Sequence, residues 1–273
     1  MKKKTNVCVL ASTSAGNCTA IWNDSGTSIL VDCGMGISYT EETLARLKLS
    51  LQNLSAVFIT HCHGDHVNRS TLKRLIDHHV PVYCSVKAAK ALKKTHPFLS
   101  DKDCSFIAFS KDRGDCTGFS YRSFSVPHDS KGGCVGYSFI LHHGAGSNKI
   151  SIATDIGFAE PGHVGHFADS DIIIIESNHD VTMLKDSKRP QWLKDRIVKT
   201  GHLSNDQSAD FIFEVLAASQ TPPSAIVLAH ISQECNTNAH AKTRMHEMIR
   251  LANKMNIDVV ETFKEKPSIV VSV

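Results

Sequence analysis

The chain has 273 residues, 41% of them hydrophobic and 21% charged, with a formal net charge of +3. That length and balance suit one globular domain, 1–273, with a sizeable core. No apolar run approaches the roughly 18 residues that a membrane span requires. The run behind the basic start MKKK is only five residues long, too short for a secretory signal, so a cytoplasmic protein without a membrane partner is expected. Nine cysteines contain no C-x-x-C pair and cannot all close into disulfides, which favours reduced thiols. The mildly basic balance permits an anionic substrate without demanding one.

Strand-like runs begin with NVCVLA and TAIWN, on either side of the polar loop STSAGN, and continue through SILVDCG, AVFIT and PVYC. Helical patterns fall at Glu41–Lys48, Ser70–His79 and Val86–Lys94. Farther on come FSYRSFSV, GYSFIL, KISIATD, DIIIIES, AIVLAH and DVVET, interrupted by helical patterns at Gln191–Lys199, Asp206–Ala217 and Ala239–Asn253. There is no internal repeat or dividing linker. The order implies two sheets packed face to face, with helices outside.

Five of these strands end in a residue able to bind a metal: Asp32, His61, His128, Asp155 and His230. Strands of one sheet present their ends along one edge, so residues distant in sequence can converge there. The stretch THCHGDHV adds His63, Asp65 and His66 within a few residues of His61. Burying so many imidazoles and a carboxylate without partners costs several kcal/mol, and a metal centre removes that cost. Neutral imidazoles and carboxylates suit Zn, Mn or Fe. Paired metals can share a hydroxide while clamping the oxygens of an attacked ester.

THCHGDH resembles the H-x-H-x-D-H signature of the metallo-β-lactamase superfamily, and VDCG, VPH, ATD and LAH follow in the order of its remaining motifs. The resemblance implies an α/β fold, the four-layered αβ/βα metallo-β-lactamase sandwich, with two divalent metal ions (Mn2+ or Zn2+, or Fe) on one edge. It places His61, His63 and His128 on one metal, Asp65, His66 and His230 on the other, and Asp155 between them. Asp32 is expected either to orient a ligand or to form an ordinary turn before Gly34.

The superfamily hydrolyses several ester classes, so the fold does not select a substrate. ESNHD (176–180), GHLSN (201–205) and AHISQECNT (229–237), together with STSAGN (12–17), resemble the YycJ/WalJ group of small metallo-β-lactamase-fold proteins. The group implies a 5′-to-3′ exonuclease on double-stranded DNA with manganese as an activating metal. The motif order is also similar to RNase Z enzymes, in which an acidic residue and a later histidine assist phosphodiester cleavage. Those helpers would be Glu176 and His202, giving Asp65, His202 and Glu176 as the catalytic set. Ser204 and Gln207 have the spacing of a capping box, which would place His202 at a helix N-terminus, where an anion is favoured.

Candidate substrate contacts are Ser12, Ser14 and Asn17 in the first loop, His179 and Asp180 after the strand DIIIIES, Ser204, and Ser232 and Asn236 beside His230. A nucleic-acid partner, DNA in preference to RNA, needs a basic approach path. LKDSKRPQWLKDRIVKT supplies one that includes Lys188 and Arg189, with Trp192 among its cations, while lysines 87, 90, 93 and 94 offer a second. The competing readings are a small-molecule (cyclic) phosphodiesterase, an RNase Z-like endoribonuclease, and a regulatory metal-binding protein coordinating wall synthesis with replication. The sequence sets no oligomeric state.

Overall fold

The structure, a computed structural model, describes residues 4–99, 105–144, 146–264 and 266–273. The basic start Met1–Lys3 and one of the nine cysteines, Cys104, lie outside the described residues. The eight cysteines within them are all unpaired thiols, as their spacing implied.

The first half opens with an antiparallel meander, β1 (Thr5–Thr13), β2 (Gly16–Asn23) and β3 (Ser28–Val31). Next come α1 (Ile37–Arg46), β4 (Ala56–Phe58), α2 (Arg69–Asp77), β5 (Val82–Ser85), α3 (Val86–Thr95) and β6 (Phe106–Phe109), with β3 to β6 parallel. The second half repeats the plan with β7 (Arg113–Cys116), β8 (Phe119–Val126), β9 (Cys134–His143) and β10 (Gly146–Ala153), all antiparallel. Its parallel part runs through α4 (Val164–Phe167), β11 (Ile172–Glu176), α5 (Val181–Asp186), α6 (Gln191–Arg196), α7 (Asn205–Ala218), β12 (Ala225–Ala229), α8 (Asn238–Leu251) and β13 (Asp258–Val260). A last short strand, β14 (Val271–Ser272), returns to β1. The two seven-stranded sheets are ordered β14-β1-β2-β3-β4-β5-β6 and β13-β12-β11-β10-β9-β8-β7.

The alternation of side chains along each strand builds the layers. Ile172 and Ile174 of β11 enter the core between the sheets, whereas Ile173 and Ile175 face outward. Phe58 lies at the centre of the inner layer, stacked on Tyr83 at 4.8 Å and meeting Phe119, Tyr121, Tyr137 and Phe139 edge-on. Leu44, Leu72 and Leu92 of α1 to α3 cover one outer face, and Phe167, Ile212 and Met245 of α4, α7 and α8 cover the other. This is the four-layered αβ/βα sandwich expected from the motifs. Among the described residues, no helix is long and apolar enough to cross a membrane.

All eleven expected strands are present, but β6, β7 and β14 add to them. β7 reads RGDC and has no apolar alternation, and β14 has only two residues. The helices α4 and α5 have four and six residues, less than two turns, too short for a periodic signal. The expected helix Gln191–Lys199 is regular only to Arg196 and then widens into a π-helical turn, Ile197–Gly201, directly before His202.

Candidate metal centre

The strand ends do converge. Asp32, Asp155 and His230 all have left-handed backbone, with φ of 62°, 56° and 55°. For a residue with a side chain that conformation costs about 1–3 kcal/mol and persists only where its surroundings over-determine it. Those surroundings are visible: Asp32 N donates to Phe58 O at 2.8 Å, and His230 N donates to Ser12 Oγ at 2.7 Å, tying the end of β12 to the opposite sheet. Gly34 is required here, since a Cβ would lie 1.8 Å from the carbonyl oxygen of Asp65. That carbonyl also accepts from Asn17 N at 2.7 Å. The VDCG turn and the STSAGN loop thus clamp the histidine-rich segment.

Within this edge, the ligand atoms of His61, His63 and His128 lie within 4.8 Å of one another, as do those of Asp65, His66 and His230. His61, His66 and Asp155 form a further such group. His61 Nε2 faces His63 Nδ1 at 3.0 Å, and His128 Nε2 is 3.4 Å from the same atom. Asp155 reaches toward both triads, with Oδ2 2.9 Å from His66 Nε2 and Oδ1 3.7 Å from both His128 Nε2 and His230 Nε2.

Four imidazoles have the remaining ring nitrogen engaged, which fixes tautomer and orientation. His66 Nδ1 lies 2.7 Å from Asp32 Oδ2, His128 Nδ1 donates to Gly201 O at 3.0 Å, His61 Nδ1 is 3.1 Å from Thr60 Oγ1, and His230 Nδ1 is 3.0 Å from Glu176 Oε1. Among the described residues, two buried atoms facing the centre, Asp155 Oδ2 and His230 Nε2, complete no hydrogen bond. Orphaned buried polar atoms on converging donors fit a cation.

Electrostatics point the same way. Burial, reinforced by the neighbouring His66, holds His61 well below the usual histidine range, and burial also lowers His128. Both rings therefore keep a lone pair to donate. Burial would also lower His230, but Asp155, Asp65 and Glu176 outweigh it and raise His230 to about 10. A divalent cation would replace the proton held there.

Glu176, fully buried at the end of β11, accepts four hydrogen bonds. Oε1 accepts from His202 Nδ1 at 2.8 Å and His230 Nδ1 at 3.0 Å, and Oε2 from Ile156 N at 2.8 Å and Leu203 N at 3.3 Å. Burial raises its pKa, yet the two histidines prevail and hold it at about 2. His202 stacks on His230 with ring centroids 5.0 Å apart and keeps part of its side chain exposed. Among the described residues, its Nε2 has no hydrogen-bond partner.

Residues 27–231 match the family described as the Beta-lactamase superfamily domain. The chain belongs to that superfamily. Over 243 residues, 88% of each chain, it is 29% identical to Exodeoxyribonuclease YycJ of Bacillus anthracis. It is 28% identical over 252 residues to Exodeoxyribonuclease WalJ of Streptococcus pneumoniae, covering 90% of this chain and 88% of that one. The metallo-β-lactamase-fold protein YhfI from Bacillus subtilis superposes over the whole of both chains with a TM-score of 0.71 at 15% identity, a likeness of fold. The resemblance read from the motifs thus extends over most of this superfamily member.

The remaining sequence candidates divide into two sets. Ser12 and Asn17 are at the centre: Ser12 Oγ donates to Asn17 Oδ1 at 3.1 Å, and Asn17 Nδ2 lies 2.9 Å from His66 Nε2. Ser14 is exposed at the tip of the same loop. His179 is buried, with Nδ1 unpartnered, and burial lowers it to about 4. The others have partners within the fold. Asp180 caps α5, Ser204 and Gln207 form the expected capping box of α7, and Ser232 Oγ accepts from Cys235 N. Asn236 pairs with Asn205 and the Ser177 carbonyl. Along the basic segment, Arg189 is ion-paired to Glu234 at 2.9 Å and Arg196 to Asp129, while Lys188 and Trp192 are exposed. Lys93 of the second basic face lies over the Phe106 ring.

Sequence reasoning missed Thr60, whose amide and hydroxyl both donate to Asp32, and Asn178, which donates to the His230 carbonyl at 2.8 Å. Both sit inside motifs already singled out, THCHGDH and ESNHD. It also missed Asp129, which follows the ligand candidate His128 and receives both the Nε and Nη2 of Arg196.

Proposed function

We propose that this metal-dependent hydrolase cleaves nucleic-acid phosphodiesters, acting as a 5′-to-3′ exonuclease on double-stranded DNA, as a single domain in the cytoplasm. Two divalent ions, Mn2+ or Zn2+, would be held by His61, His63 and His128 and by Asp65, His66 and His230, with Asp155 shared. Bound there, they would supply Lewis acidity toward the phosphodiester and its attacking water. The observation that carries the reading is the pairing of this two-triad cluster with the Glu176–His202 dyad at its rim. The similarity to YycJ and WalJ, both described as exodeoxyribonucleases, supports nucleic acid as the substrate and DNA over RNA.

The contacts support a role for each residue. With Nδ1 of His202 engaged by Glu176, Nε2 is the ring atom free to hold a proton for the departing oxygen or to stabilise charge on the phosphoryl group. Glu176 is a positioning residue: it is fully buried and acts through His202 and His230. Asp65, partly exposed beside His66 and His230, would orient the attacking water. Asn17 and Ser12 set the loop that borders it. Lys188, exposed and without a carboxylate partner among the described residues, suits backbone phosphate better than Arg189, whose charge is shared with Glu234.

The test is incubation of the protein with Mn2+ and linear duplex DNA labelled at either end, with and without a 5′-phosphate. Progressive release of nucleotides from the 5′ end is expected. Hydrolysis of small cyclic phosphodiesters with intact DNA would instead favour a small-molecule phosphodiesterase.

A further inference from the structure

A second cationic site lies away from the metal centre, on the outer face of the sheet formed by β7 to β10. Arg113 of β7 and Arg122 of β8 are directly opposite each other in the antiparallel register, and both are exposed. Like charges so placed destabilise a sheet. Arg46, Arg74, Arg189, Arg196 and Arg244 each have a carboxylate partner. Among the described residues, neither Arg113 nor Arg122 has an ion pair or hydrogen bond. They line a concavity of about 550 Å³ with Lys111 and Lys149, and Asp115 is the one carboxylate in that lining.

The end of α4 reaches one side of this face, where Ser138 Oγ donates to His166 O and Lys149 Nζ to Ala168 O, and leaves both arginines exposed. On β8, Phe119 and Tyr121 point into the inter-sheet core, while Ser120 and Arg122 face out. Their outward neighbours are Ser138 and Ile140 of β9 and Lys149 of β10. Two exposed arginines left unpaired among the described residues, retained side by side at a cost to sheet stability, are complementary to a polyanion.

We infer that this concavity is a second contact for the phosphate backbone of nucleic acid, remote from the cleaved bond. The inference rests on the phosphodiesterase reading above. Arg122 precedes His128 by six residues, the first four steps within β8, and so lies at most about 20 Å away at ~3.3 Å per residue. That is the axial length of about six base pairs, so one duplex can touch both places. The site contributes affinity and grip on long substrates and leaves the chemistry to the metal centre.

The decisive variant is Arg122→Glu, which puts a carboxylate opposite Arg113 and so relieves the repulsion as it removes the site. Melting temperature, affinity for a 30-base-pair duplex across a salt series, and turnover of bis(p-nitrophenyl) phosphate are measured together. The expected result is unchanged or raised melting temperature, unchanged turnover, and affinity reduced roughly 10- to 100-fold near 0.1 M salt. The slope of log affinity against log salt should become shallower by about two, the loss of two phosphate contacts. The double variant Arg113→Ala/Arg122→Ala should show the same loss of affinity and slope. Wild-type affinity and slope in both variants would overturn the inference. Loss of duplex binding in the variants of a protein that hydrolyses neither substrate would uphold this site and refute the phosphodiesterase reading instead.

Discussion

Glu176 connects a candidate metal ligand to the candidate proton donor, because one oxygen accepts from both His230 and His202. Glu176→Gln should therefore weaken metal binding about 10- to 100-fold and reduce turnover further once metal is saturating. Titration with Mn2+ beside turnover at saturation separates the two effects. Its pKa also makes acid stability testable. Burial opposes the charged form, but His202 and His230 hold the folded pKa at about 2, below the ordinary 4.5. The stabilisation from this group is then complete above about pH 4.5 and is lost as pH falls toward 2. Metal-free protein should lose stability over that window, and Glu176→Gln should flatten the loss in melting temperature measured against pH. At this scale the ligand candidates were legible because few side chains bind metal. Gly34, Thr60 and Asn178 were not, because their importance arises from contact with Asp65, Asp32 and His230, which only the folded chain brings near.

Among the elements, α7 bears most directly on the site, because its first turn fixes the segment that carries His202. Ser204 and Gln207 close a capping box at 3.1 and 2.9 Å, as their spacing in GHLSNDQ implied. Ser204→Ala should cost about 1 kcal/mol of stability, read by denaturant unfolding, with a larger proportional loss of turnover than of metal content. Strands of the parallel halves were readable as apolar runs of β-branched residues, Ile172–Ile175 above all. The edge strands β6 and β7 were not: β6 is a four-residue run, FIAF, with no alternation, and β7, RGDC, is half exposed and carries no apolar pattern. The π-helical turn before His202 was hidden for another reason: its residues, Ile197–Gly201, fit an ordinary helical pattern, and the widening appears only where Gly201 turns its carbonyl to His128.

For the whole molecule, the two sheets repeat one plan, a meander followed by parallel strands, and the candidate ligands come from both. His61, His63, Asp65 and His66 follow β4, while His128, Asp155 and His230 follow β8, β10 and β12. Ions bound between them would cross-link the sheets and stabilise only the folded chain. At about 1,000 times the dissociation constant that linkage is worth ~4 kcal/mol, so chelation should lower the melting temperature by roughly 10 °C, reversed by added Mn2+ or Zn2+. The layered architecture was legible from strand order and recurring strand-end ligands. The long return of β14 to β1 was not, since two residues at the far end of the chain carry no pairing signal.

The measurement that bears most directly on the site is metal content taken beside phosphodiester turnover for the wild type, Asp65→Ala and His202→Ala. Two ions per chain with turnover in the wild type, depleted metal and no turnover in Asp65→Ala, and full metal with turnover reduced at least 100-fold in His202→Ala are expected. Wild-type turnover in Asp65→Ala, or in His202→Ala with its metal retained, would contradict the roles assigned to the cluster and its rim.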